Sequence, residues 1–143
     1  MMDLIRAVIG RGSSINLVAT GWSMAPFIKH GDILTLSPLP ARTPGLGDVV
    51  AFKFPQTDKM AIHRVIETHQ DRYLLKGDYR SGPDCYILKT DILGIVSRID
   101  RAGSKVSFGI GPGKALISYL SARNILYPLL SFAYGMRQQF PAG

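Results

Sequence analysis

The sequence predicts a mainly β domain, a small barrel or folded sheet carrying a C-terminal helix. Three observations support this. Fifteen glycines and nine prolines in 143 residues cut the chain into short runs, which suits strands and turns better than a helical bundle. Six or seven of those runs are apolar and strand-length. Finally, the pattern changes after Gly111-Pro112-Gly113 to a longer stretch rich in Leu, Ile and Tyr.

Met1–Gly10 is apolar but short and carries Asp3 and Arg6. It lacks a small-residue cleavage site, so it reads as a brief amphipathic helix rather than a signal or anchor. Ile15–Ala19 is a short strand leading into Thr20-Gly21-Trp22-Ser23-Met24-Ala25-Pro26. Ile33–Leu36 follows a Gly31-Asp32 turn, and Ser37 to Gly47, with three prolines and two glycines, is a loop. Asp48–Phe54 and Met60–Thr68 read as two strands around Pro55-Gln56-Thr57-Asp58. Tyr73–Lys76 is closed by Gly77-Asp78, and Ile92–Ile99 with Lys105–Phe108 forms a final pair about Arg101-Ala102-Gly103. Residues 1–112 are therefore expected to form the β domain and 113–143 a helical appendage. Within the appendage, Ala115–Tyr134 should be helical, with Pro112 near its start and Pro128 kinking or ending it.

Composition bounds function. Hydrophobic residues are 46% and charged residues 19%, enough apolar content for a packed core. A single cysteine, Cys85, excludes an internal disulfide and a cysteine-based zinc site, and is expected to be a small buried hydrophobe. The net charge is +7, and from Arg98 onward six basic residues stand against Asp100 alone. Such a tail suits nucleic acid or an anionic membrane surface. Aromatic residues are not interleaved with the basic ones on the expected strands, which disfavours nucleic acid. The apolar tail falls short of a confident spanning helix; it can pack on the barrel or lie against a membrane surface. No cluster has metal-ligand spacing, and no cofactor is expected. Gly109-Ile110-Gly111-Pro112-Gly113-Lys114 lacks phosphate-loop spacing, and Ala115 stands where a hydroxyl would bind magnesium. Asp32 and Asp48 follow glycines and should hold turns, while His30 and His69 should face solvent.

A serine nucleophile needs exposure at a tight turn, a base within reach and donors for the oxyanion. Ser23 sits between a glycine and a proline that shape such a turn, although a serine there is ordinarily a turn residue. The downstream order adds weight: Gly31-Asp32, Gly47-Asp48-Val49-Val50-Ala51-Phe52, Ile62-His63-Arg64-Val65-Ile66, then Lys76-Gly77-Asp78 through Asp84, then Ile92-Leu93-Gly94-Ile95-Val96.

This succession, over roughly residues 15–99, resembles the signal peptidase family and the related self-cleaving SOS-type repressors. The resemblance implies a serine endopeptidase. In most of that superfamily the base is lysine; His63 makes the chain similar to the Ser–His branch of endoplasmic-reticulum and archaeal signal peptidases. It implies Ser23 as nucleophile and His63 as general base. Asp84 is favoured for orienting the imidazole, and Asp78 for a structural or supporting role. Histidine suits the task because it loses its proton near neutrality, whereas lysine must be desolvated to do so. Lys76 is the alternative base. The substrate is expected as an extended peptide contacted by Gly21, Trp22, Met24 and Pro26, with small side chains near the scissile bond. Gly21 stands where many bacterial relatives place a second, hydroxyl oxyanion donor. Relatives usually hang from an N-terminal membrane helix, which this chain lacks, so the expected location is cytoplasmic or peripheral to a membrane. The rival readings are a catalytically silent peptide-binding relative and, less favoured, a basic nucleic-acid-binding barrel.

Overall fold

The computed structural model describes residues 2–39, 44–107 and 109–138, with side chains through residue 133. Met1, residues 40–43 in the expected 37–47 loop, Phe108 at the end of the expected last strand, and 139–143 lie outside the described residues.

The chain opens with helix α1 (Met2–Gly10). Its Ile5 is fully buried, and Met2 and Ile9 pack against the same core. Strands β1 (Ile15–Val18), β2 (Ile33–Ser37), β3 (Val49–Lys53), β4 (Met60–His69) and β5 (Arg72–Lys76) follow. Then come β6 (Tyr86–Leu88), a 3₁₀ turn (Lys89–Asp91), β7 (Ile92–Arg101) and β8 (Ser104–Val106). Two helices, α2 (Lys114–Ala122) and α3 (Leu126–Gln138), close the described chain.

The strands form one antiparallel sheet in the order β1-β2-β7-β3-β4-β5-β6, with β8 added to β7, and it curls into a half-barrel. Strand β7 is central because its ten residues serve three partners: β2 along one edge, β3 and then β8 along the other. Register shifts at Thr35/Leu36, Ala51/Phe52 and Val65/Glu67 locally disrupt the ladder; such bulges bend a strand and raise its twist, which helps a sheet curl. One apolar cluster joins Leu34, Leu36, Val49, Ala51, Val96 and Ile99 to α1; a second joins Val50, Phe52, Val65, Tyr73, Leu75 and Ile87. These are alternating positions on the strands, as a two-sided sheet requires.

Three expectations need correcting. Strand β6 falls in a stretch read as loop, because three residues are too few to show a period. The C-terminal stretch is two helices: the break comes at Asn124, whose φ is +58°, and Pro128 lies in the first turn of α3. Proline is tolerated there because the first amides of a helix have no internal acceptor. Cys85 is exposed rather than buried. In the extended segment entering β6 its neighbour Asp84 turns inward, so Cys85 turns out.

Helix α2 is tied to the sheet by polar contacts. Ser118 Oγ donates to Val65 O at 2.7 Å, and the Lys76 ammonium donates to Ser121 O at 3.0 Å and Asn124 Oδ1 at 3.4 Å. A cation at the C-terminal carbonyls of a helix also complements its dipole. The outer faces of α2 and α3 leave Leu116, Tyr119, Leu129 and Phe132 exposed, as is Ile125 in the turn between them. No helix among the described residues is long and apolar enough to cross a membrane.

Candidate active site

The Ser23 loop runs from Ala19 to Asp32 and is closed at its base by Ala19 N–H to Asp32 O (2.7 Å) and Gly31 N–H to Ala19 O (2.9 Å). Met24, Ala25, Phe27 and Ile28 are buried, so the loop is packed into the domain rather than left in solvent. Asp32 fixes it further. Its carboxylate accepts from Lys29 N–H (2.8 Å) and from the Arg101 guanidinium in a fork at 2.9 and 2.8 Å. Burial alone would raise the Asp32 pKa, but the Arg101 fork and the Lys29 amide together hold it below its ordinary value. Gly21 has φ +81°, a conformation that costs glycine little. Its N–H donates to His30 Nδ1 at 3.1 Å, and the Trp22 ring stacks on His30 with centroids 6.0 Å apart. His30 is exposed as expected and also holds this turn.

His63 comes from the half of β4 that pairs with β3, opposite Val50. It is 3% exposed and packs near the Phe52 ring. Its Nε2 lies 3.1 Å from Ser23 Oγ, and its Nδ1 is hydrogen-bonded to Asp84 Oδ2. Asp84 is held by its own backbone, whose N–H donates to Leu75 O at 2.8 Å. With a carboxylate on Nδ1–H, Nε2 is left as acceptor for the serine hydroxyl. That is the arrangement by which an alcohol becomes nucleophilic near neutral pH. Thus Ser23, His63 and Asp84, far apart in sequence, meet at one point.

Asp78 and Lys76 do not join them. Asp78 is fully buried and takes a fork from Arg64, with Nε–H at 3.0 Å and Nη2–H at 2.8 Å. Arg64 is equally buried. Its remaining nitrogen donates to Gly47 O at 2.9 Å and to Gly109 O, and its guanidinium lies over the Phe27 ring at 5.4 Å. A buried charge is tolerable only when paired and bonded in this way. Successive strand residues face opposite ways, so His63 serves the serine while Arg64 ties the underlying loops together. Lys76, the alternative base, has its ammonium committed to α2. Burial pushes its pKa down, against the opposing pull of Asp78.

Sequence reasoning missed part of the support. Tyr79 N–H donates to Ser23 O at 2.7 Å, and a Cβ on Gly77 would fall 2.7 Å from that same oxygen. Gly77 is therefore glycine because the Ser23 carbonyl sits against it. The Gly77-Asp78 pair was visible as a motif; its partner was not. Arg64 and Arg101 were missed too, since an arginine in a strand ordinarily faces water.

Two clefts meet at Ser23. A groove of ≈ 510 Å³ runs between β1 and the start of β4, lined by residues that include Asn16, Val18, Gly21, Met24, Met60 and Ile62. An open cleft on the other flank is lined by Gly21, Trp22, Ser23, Tyr79, Arg80, Ser81 and Tyr127. Of the four residues expected to contact substrate, Gly21 lines both clefts, Met24 the groove and Trp22 the open cleft; Pro26 lines neither. No group of metal-ligating side chains occurs among the described residues.

No match was found among curated proteins. Residues 2–97 match the family model described as Peptidase S24-like, a span that holds Ser23, His63 and Asp84 together with Arg64 and Asp78. The chain belongs to the Peptidase S24-like family.

Proposed function

We propose that the protein is a serine endopeptidase using Ser23, His63 and Asp84. The observation that carries this reading is the continuous relay from Ser23 Oγ through His63 Nε2, at 3.1 Å, to Asp84 on Nδ1. Ser23 Oγ attacks the peptide carbonyl as His63 takes its proton; the imidazolium, stabilised by Asp84, returns that proton to the leaving amine. An acyl-enzyme remains, and His63 activates water to release it. The Ser23 backbone N–H is the proposed oxyanion donor.

The substrate lies extended in the groove. Strand β1 pairs with β2, and Met60–His63 of β4 pair with β3, which leaves backbone groups of both facing edges for a peptide to bond. Main-chain pairing tolerates varied sequences, and the groove's side chains set the selection near the scissile bond.

The test is labelling by a serine-reactive phosphonate, with peptide cleavage measured alongside. Wild type should label and cleave. Ser23→Ala should do neither, and His63→Ala should lose at least ~10³-fold in kcat/KM. Stoichiometric labelling that survives Ser23→Ala would overturn the assignment of the nucleophile. A folded His63→Ala variant with undiminished turnover would overturn the base.

A further inference from the structure

The open cleft has a chemistry different from that of the groove. Its side chains are three aromatics, two serine hydroxyls (Ser23 and Ser81) and the Arg80 guanidinium, and no carboxylate lines it. Trp22 is 58% exposed. Tyr79 and Tyr127 meet edge to face at 5.7 Å, which brings α3 to the rim. The aliphatic stem of Arg80 lies over Gly77, while the residue as a whole is exposed. Arg80 takes part in none of the ion pairs among the described residues. A cationic fork on an aromatic floor favours a carboxylate carried on a short apolar stem.

The groove and the cleft share Gly21 and Ser23, so a peptide crossing Ser23 occupies both. The two halves of a substrate have different fates. The acyl half must stay through hydrolysis, and strand pairing in the groove retains it. The amine half must leave, and the open cleft lets it go.

We infer that the cleft of Trp22, Tyr79, Arg80 and Tyr127 binds the leaving side of the substrate and selects an acidic residue, Asp or Glu, within the first few positions after the scissile bond. This rests on the peptidase reading and adds a specificity to it. Arg80 is a specificity residue that makes no bond within the proton relay, so its substitution should alter which peptides are cut, and phosphonate labelling of Ser23 in the same variant checks that the relay is still in place.

The experiment digests a complex peptide library with the full chain and reads the cleavage sites by mass spectrometry. Wild type should enrich Asp and Glu on the leaving side about fivefold over Lys and Arg. Arg80→Gln should flatten that profile, and Arg80→Glu should invert it towards Lys and Arg, with the acyl-side profile unchanged in both. Identical leaving-side profiles in wild type and Arg80→Glu overturn the inference. A second arm needs no turnover. Trp22 is the protein's single tryptophan, so its fluorescence in Ser23→Ala reports occupancy of this cleft. Products released from the leaving side or, if the library stays uncut, synthetic peptides bearing Glu or Lys near their N-terminus are titrated against it. Tighter binding of the Glu peptide, reversed by Arg80→Glu, supports the cleft's selectivity even if the peptidase reading fails. Equal affinity for the two peptides overturns it.

Discussion

Gly77→Ala should slow the enzyme while leaving it folded. The new methyl group would lie 2.7 Å from Ser23 O and about as close to the Arg80 stem, whereas an ordinary contact begins near 3.4 Å. Arg80 is exposed and can swing aside. Ser23 O cannot, because Tyr79 N–H holds it at 2.7 Å and the loop around it is packed. The strain must therefore move the nucleophile or its brace by roughly 0.5–1 Å, and a displacement of that size can cost on the order of 10²-fold in rate. The expected loss in kcat/KM is ~10–100-fold, or about 1.4–2.7 kcal/mol of transition-state stabilisation. The stability cost should be ~1–3 kcal/mol, as for other overpacked sites. The assay pairs kcat/KM on a cleaved peptide with thermal unfolding. Gly82→Ala is the control, since a methyl group there meets nothing within 4 Å. Wild-type kcat/KM in a folded Gly77→Ala protein would refute the claim that Gly77 sets the position of Ser23.

The two aspartates should separate in their effects. Asp84→Asn should lower kcat/KM by ~10³–10⁴-fold with little change in unfolding temperature, because the imidazole loses its orienting partner. Asp78→Asn should instead cost ~3–5 kcal/mol of stability by leaving a buried guanidinium unpaired, as denaturant titration would show; the reverse pattern would exchange their roles. Asp32 has its pKa lowered by folding, so its contribution is present above the unfolded value of about 3.9 and is lost as pH falls through the folded one. Wild type should therefore lose stability in that acid range more steeply than Asp32→Asn, and parallel pH–stability curves would count against the Arg101 brace. Lys76 is lowered by burial, so the unfolded chain binds more protons and stability rises with pH from the folded value towards about 10.4. Lys76→Met should remove that alkaline rise and keep the acid limb of the pH–rate profile; loss of the limb would make Lys76 the base.

The mainly β fold was legible because glycine and proline mark its turns and the longer strands carry clear apolar runs. Ser23, His63 and Asp84 were legible only as an ordered set of blocks, since each alone is an ordinary turn or strand residue. What stayed hidden is whatever depends on contacts between distant segments. Arg64 in a strand looks like a surface residue until Asp78, Gly47 and Gly109 are placed around it. Strand β6 owes its conformation to pairing with Arg72–Leu74 rather than to any period of its own. The helix break at Asn124 escaped because Pro128, four residues on, is the stronger signal in sequence and the weaker one in a first helical turn.

The single guanidinium of Arg64 grips a carboxylate at residue 78 and carbonyls at residues 47 and 109. The family match ends at residue 97, so one of those anchors, and the helix that accepts the Lys76 ammonium, come from chain beyond it. The elements of the proposed relay are thus not a portable cassette. A fragment ending at residue 97 would contain every atom of the proposed relay, yet would leave a buried cation short of an acceptor beneath its base. During synthesis the same dependence imposes an order of events: the proposed relay can be fully braced only after residue 109 has been added, so a nascent chain would carry Ser23 and His63 for some time before that brace is complete.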